Sequence, residues 1–273
     1  MRRLIIVALV IVLLLGLAAP ARADDTLLIY YAGDTESGVY SALELTGYTL
    51  VTDPSAAKVY VLNGVIPDDP LIAERIKSGE AGVVLILGES LTDDQVQDLL
   101  GFPVQLEEES NAVSLTGISG VNDPLLTEII WNSAPQIRER MNISTPVSSV
   151  QPLVIAYENS EWILWQVRPN AFVFNGYLNH GFNPQIQEWA YFNYLIYHLS
   201  TRAGGQIPDS FADYPASPVP HASERNLLWG LMAVILVTTF TAFFIVRRYS
   251  LAHPEELDRV VANRTQFEAH EAG

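Results

Sequence analysis

The chain has 273 residues, 31 of them acidic and 15 basic, for a net charge of −16, and it contains no cysteine. So acidic a surface repels nucleic acid and anionic headgroups, while the missing thiols exclude cysteine nucleophiles, disulfides and cysteine-bound zinc. Whatever folds is therefore held by apolar burial, which a 49% hydrophobic composition can supply.

Met1 to Ala23 has the layout of a secretory signal: Arg2 and Arg3, then the apolar run Leu4 to Leu17, then Ala21-Arg22-Ala23 as a small-x-small cleavage site. Cleavage would leave Asp24 first; an uncleaved signal anchor is the alternative and places the following region on the same side. Residues 24–226 carry 26 acidic against eight basic side chains, a net charge of about −18.

Residues 24–205 are expected to form one extracytoplasmic α/β domain. Thr26 to Tyr31, Tyr48 to Val51, Val59 to Leu62 and Val83 to Leu87 are short apolar runs of strand type. Between them lie helices at Val39 to Leu45, at Asp69 to Lys77 with Asp69 as N-cap and Pro70 at the first turn, and at Thr92 to Leu100, capped by Thr92 and stopped at Gly101. Continuous apolar strands alternating with amphipathic helices predict a mostly parallel sheet with helices on both faces, as in flavodoxin-like folds.

Val104 to Leu106 and Ala112 to Leu115 read as short edge strands, and Leu125 to Trp131 as a helix or turn. Leu153 to Tyr157 and Trp162 to Val167 form a hairpin around Glu158-Asn159-Ser160, which Ala171 to Phe174 extends. Pro184 to Thr201 is predicted as one long aromatic helix packed into the sheet.

Residues 206–226, with prolines at 208, 215, 218 and 220, read as a stiff spacer. Its Gln206 to Ser223 stretch, extended as polyproline, would reach roughly 55 Å. Leu227 to Val246 is twenty residues without a charge, long enough to cross a bilayer as a helix and so to contact membrane lipid. Arg247 and Arg248 immediately after it orient that end, and the short tail 247–273, toward the cytoplasm, leaving the large region outside.

In an open parallel sheet ligands bind beyond the carboxyl ends of the strands. The candidate ligand-binding residues there are Asp34 and Glu36 after the first strand, Asn63 after the third, and Glu89 and Ser90 after the fourth. Carboxylates at one crest can hold a cation or polarise a water; the alternative is that they cap helices and solvate loops. Gly88-Glu89-Ser90-Leu91-Thr92 is like a nucleophile elbow whose closing glycine is replaced by Thr92. His180, in the turn-rich loop Asn175 to Pro184, is a candidate base or ligand, with Glu188 and His198 further on; the alternative is a structural turn. Asn142-Ile143-Ser144 matches the N-glycosylation sequon and is read as incidental. No catalytic or metal residue and no cofactor is assigned.

LLIYYAGDT at the first strand, KVYVLNG at the third and IKSGEAGVVLILG before the fourth crest make residues 24–106 resemble the class I glutamine amidotransferase-like fold. The position of that family's nucleophilic cysteine falls near Glu89 or Ser90, so the resemblance implies the fold without glutaminase activity. The whole layout, a signal, such a domain and one membrane helix, is similar to uncharacterised bacterial membrane proteins and to the non-catalytic oligosaccharyltransferase subunit of eukaryotes. That resemblance implies scaffolding or binding, and the expected occupant is a protein partner in the membrane or envelope or a polar ligand such as a glycan, held at the strand crest. The competing expectation is an extracytoplasmic hydrolase using the acidic crest residues and His180, with or without a metal.

Overall fold

The computed structural model describes residues 27–144, 150–218 and 222–252. The signal-peptide reading of 1–23 and the tail from residue 253 lie outside the described residues. Residues 27–218 fall in one compact unit and the helix Ala222–Ala252 in a second.

The main sheet is built from β1 (Leu28–Ala32), β2 (Thr49–Val51), β3 (Val59–Asn63), β4 (Gly82–Ile86), β6 (Leu115–Gly117), β8 (Gln151–Ala156), β9 (Trp162–Arg168) and β10 (Ala171–Phe174), in the order β2-β1-β3-β4-β10-β9-β8-β6. The first five strands in that order pair in parallel and the last three antiparallel. β3 (VYVLN) and β4 (GVVLI) are buried at every residue, as central strands covered on both faces must be.

Helices cover both faces. On one side α1 (Gly38–Leu45) and the aromatic helix α6 (Phe192–Ala203) pack with Ile29, Val59, Val61, Val84, Phe172 and Phe174. On the other, α2 (Pro70–Ser78) and α3 (Asp93–Leu100) bring Ile72, Ile76, Val96 and Leu99 onto Tyr60, Leu62, Val83 and Leu85. The predicted caps are in place. Asp69 Oδ1 accepts from the Leu71 amide (3.0 Å), and Thr92 closes a reciprocal capping box with Gln95. The α/β architecture expected from the strand and helix rhythm is the one observed.

Three stretches differ from expectation. The segment after β4 does not add both of its edge strands to the main sheet: β5 (Gln105–Glu109) pairs antiparallel with β7 (Arg140–Ser144) in a separate ribbon. The stretch from Leu125 is α4 (Pro124–Glu128) followed by a 3-10 turn at Trp131–Ser133. The long aromatic helix is broken into α5 (Pro184–Gln187) and α6, and at the break Trp189 packs at a tilt against the buried Trp131 (5.7 Å) and donates its indole N–H to Ser133 Oγ (3.3 Å).

The stretch predicted as a spacer from residue 206 is bonded to the domain between Asp209 and Ser217. Tyr214 is 1% exposed and Phe211 packs beside it against Tyr194. Glu128 accepts from both the Phe211 amide (2.7 Å) and the Tyr194 hydroxyl (2.6 Å), and Tyr194 also reaches the Asp209 carbonyl (3.1 Å). Ring burial on α6 outweighs the extended preference of the prolines, so the first part of the stretch folds onto the domain.

The helix Ala222–Ala252, hereafter α7, contains one stretch long and apolar enough to cross a membrane, Arg225–Ala252, whose most apolar eighteen-residue window has no buried residue.

Candidate functional site

The carboxyl ends of β1, β3 and β4 form the crest that carries the candidate residues. Asp34 follows β1 and works in two directions. Its Oδ1 accepts from the Glu36 amide (2.8 Å), which shapes the turn before α1, and its Oδ2 accepts from the His180 amide (3.2 Å). The Asp34 carbonyl accepts from the Tyr31 hydroxyl and from Ser37 Oγ, both at 2.7 Å. Burial raises the Tyr31 hydroxyl above its ordinary pKa, with the Asp34 charge adding to it against hydrogen bonds from Ser37 and Asn63. Asp34 and His180 are thus brought together, but through the histidine backbone rather than its imidazole.

Asn63, at the end of β3, is fully buried. Its Nδ2 donates to the Tyr31 hydroxyl (3.2 Å) and to the Leu178 carbonyl (3.3 Å). Ser90 Oγ donates to the Gly64 carbonyl (3.1 Å), so this hydroxyl is spent on the neighbouring crest loop. Glu36, Glu89 and the His180 side chain are exposed. Burial pushes the Tyr177 hydroxyl up to about 12, with Glu108 and Glu89 adding to it. Among the described residues no three His, Asp or Glu side chains are grouped so as to hold a metal ion. A cavity of about 440 Å³ beside α2 and α3, lined by Ile66, Ile72, Gln95, Asp98 and Leu99 among others, includes none of the six candidates.

What occupies the crest is the chain's own loop from Asn175 to Gln187. Four side-chain amides hold it. Asn175 accepts from Trp165 Nε1 (2.9 Å) and donates to the Trp162 carbonyl (2.6 Å). Asn183, in the left-handed region at φ +42, donates to the Glu139 (2.7 Å) and Tyr177 (3.0 Å) carbonyls and accepts from the Arg138 amide (2.8 Å). Gln187 accepts from the Gly38 amide (2.7 Å) and donates to the Phe182 carbonyl (2.8 Å), while Asn63 supplies the fourth contact from beneath. Sequence reasoning singles out this loop for its histidine and passes over Asn175, Asn183 and Gln187. An asparagine directly before Pro184 is the available signal, since the proline disfavours the right-handed helical region for that residue and asparagine enters the left-handed region more readily than most.

Glycine lets the loop settle. A Cβ on Gly64, at φ +71, would stand 2.6 Å from Asn179 Nδ2, and one on Gly88 would stand 2.5 Å from Gly64 Cα. Gly64→Ala is expected to cost about 1–3 kcal/mol by combining an unfavourable φ with that contact. It should also speed amide exchange at His180 and Gly181. Urea titration together with hydrogen exchange checks this; wild-type behaviour in both would mean that the loop is not seated on Gly64.

No protein-family model matches this chain, and no curated protein matches its sequence. Solved structures resemble it loosely. The cytoplasmic protein STM3548 from Salmonella typhimurium has a TM-score of 0.47 at 11% identity, covering 68% of this chain and 100% of that one. A GMP synthase subunit-like protein from Thermoplasma acidophilum has 0.43 at 13% identity, over 66% and 95% of the two chains. The β-galactosidase of the psychrophilic Marinomonas ef1 has 0.42 at 10% identity, and the match spans 67% of this chain and 30% of the galactosidase. Likenesses this distant bear on neither activity nor partner.

Proposed function

We propose that the chain is a membrane-anchored extracytoplasmic domain that binds or positions a partner protein and carries out no chemistry at its strand crest. The carrying observation is the loop Asn175 to Gln187, which sits where an open sheet of this kind would receive a ligand and engages Asn63, Asp34 and Gly38 by hydrogen bonds. The apolar run within α7 supports the anchor, and the Arg247-Arg248 pair after it supports an outside domain with a cytoplasmic tail. The resemblance of residues 24–106 to amidotransferase-like domains, with Glu89 or Ser90 where the nucleophile would stand, points the same way.

Thermal melting of the full chain in phosphatidylcholine nanodiscs, titrated with divalent metals, glycans and small polar ligands, tests this reading. A ligand bound at 100 times its dissociation constant would add about 2.7 kcal/mol and raise the midpoint visibly. The expected result is no shift with any of them. A shift abolished by Asp34→Ala or Glu89→Ala would overturn the proposal in favour of the hydrolase that uses Asp34, Glu36, Glu89 and His180.

A further inference from the structure

The chain is still tied to the domain at Ser217, whose Oγ donates to the Phe211 carbonyl (2.9 Å). Residues 218–226 alone separate it from Leu227, the first residue of the apolar run. Fully extended, those residues reach about 30 Å at most. Helical winding from Ala222 shortens that reach. The extended length is the upper limit on how far the point where the chain leaves the domain can lie from the start of the run.

The face that carries Phe211 is not an ordinary water-facing surface. Trp189, Tyr191 and Phe211 are each half-buried and follow one another ring to ring, Trp189 to Tyr191 at 5.3 Å and Tyr191 to Phe211 at 4.6 Å. Ile207, in the same segment as Phe211, is 94% exposed, and Ile130, next to the Trp131 ring that touches Trp189, is 55% exposed. Tryptophan and tyrosine pair an apolar body with a polar tip, which suits the headgroup zone of a membrane better than bulk water. Glu188, Asp209 and Asp213 accompany the rings in sequence, so anionic lipid would be repelled and zwitterionic headgroups are the fitting surface.

We propose that the face bearing Ile207, Phe211, Tyr191 and Trp189 rests on a zwitterionic lipid surface, so that the domain lies down on the membrane instead of standing on a stalk. The inference rests on the reading of Leu227 to Val246 as a membrane span.

Because the chain has no cysteine, a single introduced one reports a single position. The full chain would be placed in phosphatidylcholine nanodiscs and labelled with a fluorophore in three separate variants. Ile207→Cys reports the proposed contact. Glu108→Cys lies on exposed β5, whose Leu106 packs against the core on the opposite side of the sheet from Tyr214. Val237→Cys lies in the apolar run. Nitroxide on the lipid headgroup is expected to quench at position 207 about threefold more than at 108, as for a face seated among headgroups. Brominated acyl chains should quench at 237. Quenching at 237 with no excess at 207 over 108 overturns this inference and leaves the anchor standing; no quenching at 237 overturns both.

Discussion

Arg140→Met is expected to cost the domain about 3–5 kcal/mol, the range for breaking a buried ion pair by removing one partner. Arg140 is wholly buried, and two of its nitrogens converge on one carboxylate oxygen, Nε at 2.9 Å and Nη2 at 2.6 Å from Glu161 Oε2. The same guanidinium donates to the Asn111 carbonyl (2.5 Å) and to Asn111 Oδ1 (2.8 Å), so one side chain ties β7 to the loop before β6 and to the turn of the β8–β9 hairpin. With a methionine in its place the Glu161 carboxylate, 17% exposed, keeps its desolvation penalty and loses its cation. The Asn111 acceptors lose their donor as well. The loss does not follow from the ion pair being worth that much on its own, because the same buried charges are costly to bring out of water in the first place. That distinction is measurable. Arg140→Met combined with Glu161→Gln should lose markedly less than the sum of the two single variants, since the double change removes the stranded charge. Urea titration of the full chain, followed by tryptophan fluorescence, gives the three values. A single-variant loss below about 1 kcal/mol, or strict additivity, would show that Arg140 does not hold these elements together.

The parallel half of the fold was legible because its physics is local. β3 and β4 are apolar at consecutive positions, and Asp69-Pro70 and Thr92 with Gln95 are helix starts written in side-chain chemistry. β7 was not legible: Arg140-Met141-Asn142-Ile143-Ser144 offers only Met141 and Ile143 as apolar residues, and its pairing with β5 is set by contacts some thirty to forty residues away in sequence. The break between α5 and α6 was hidden for a similar reason, since the helical pattern continues through Trp189 and the partners of that ring, Trp131 and Ser133, are distant in sequence. Residues 206–217 have the proline content of a spacer, and their burial depends on Tyr194, Tyr197 and Glu128 being presented together by α6 and α4. At the crest, the sequence placed Asp34, Asn63 and Ser90 near strand ends, and it set His180 in a turn-rich loop without relating it to them. It could not show that Ser90 and Asp34 would bond to backbone groups of neighbouring loops, nor that side-chain amides remote in sequence would close the site.

His198 should make the domain acid-sensitive in a window that its exposed groups cannot explain. The imidazole is fully buried in α6, edge-on to Tyr194 at 5.7 Å, and neither ring nitrogen has a hydrogen-bond partner among the described residues. Burial is the main cause that lowers its pKa from 6.5 to about 4; the Arg202 cation adds to this, and Asp123 opposes it. Arg202 is itself held by both Asp123 oxygens at 2.9 Å, which blunts what the carboxylate can offer the histidine. A base whose folded pKa lies below its unfolded value binds its proton first in the unfolded chain, so the folded state loses ground as pH falls through 6.5 and goes on losing it until about 4. Carried across that window, the difference amounts to about 3 kcal/mol. Above pH 6.5 both states hold the ring neutral and the effect vanishes. Carboxylates that titrate near the lower edge contribute to the wild type and to a histidine variant alike, which makes the comparison specific. In His198→Leu, acidification from about pH 7 to about pH 4.5 should cost about 2–3 kcal/mol less than in the wild type, read from urea midpoints at the two pH values. Parallel losses in the two proteins would mean that His198 takes up its proton as readily in the fold as outside it, and the buried imidazole would then have no part in acid unfolding.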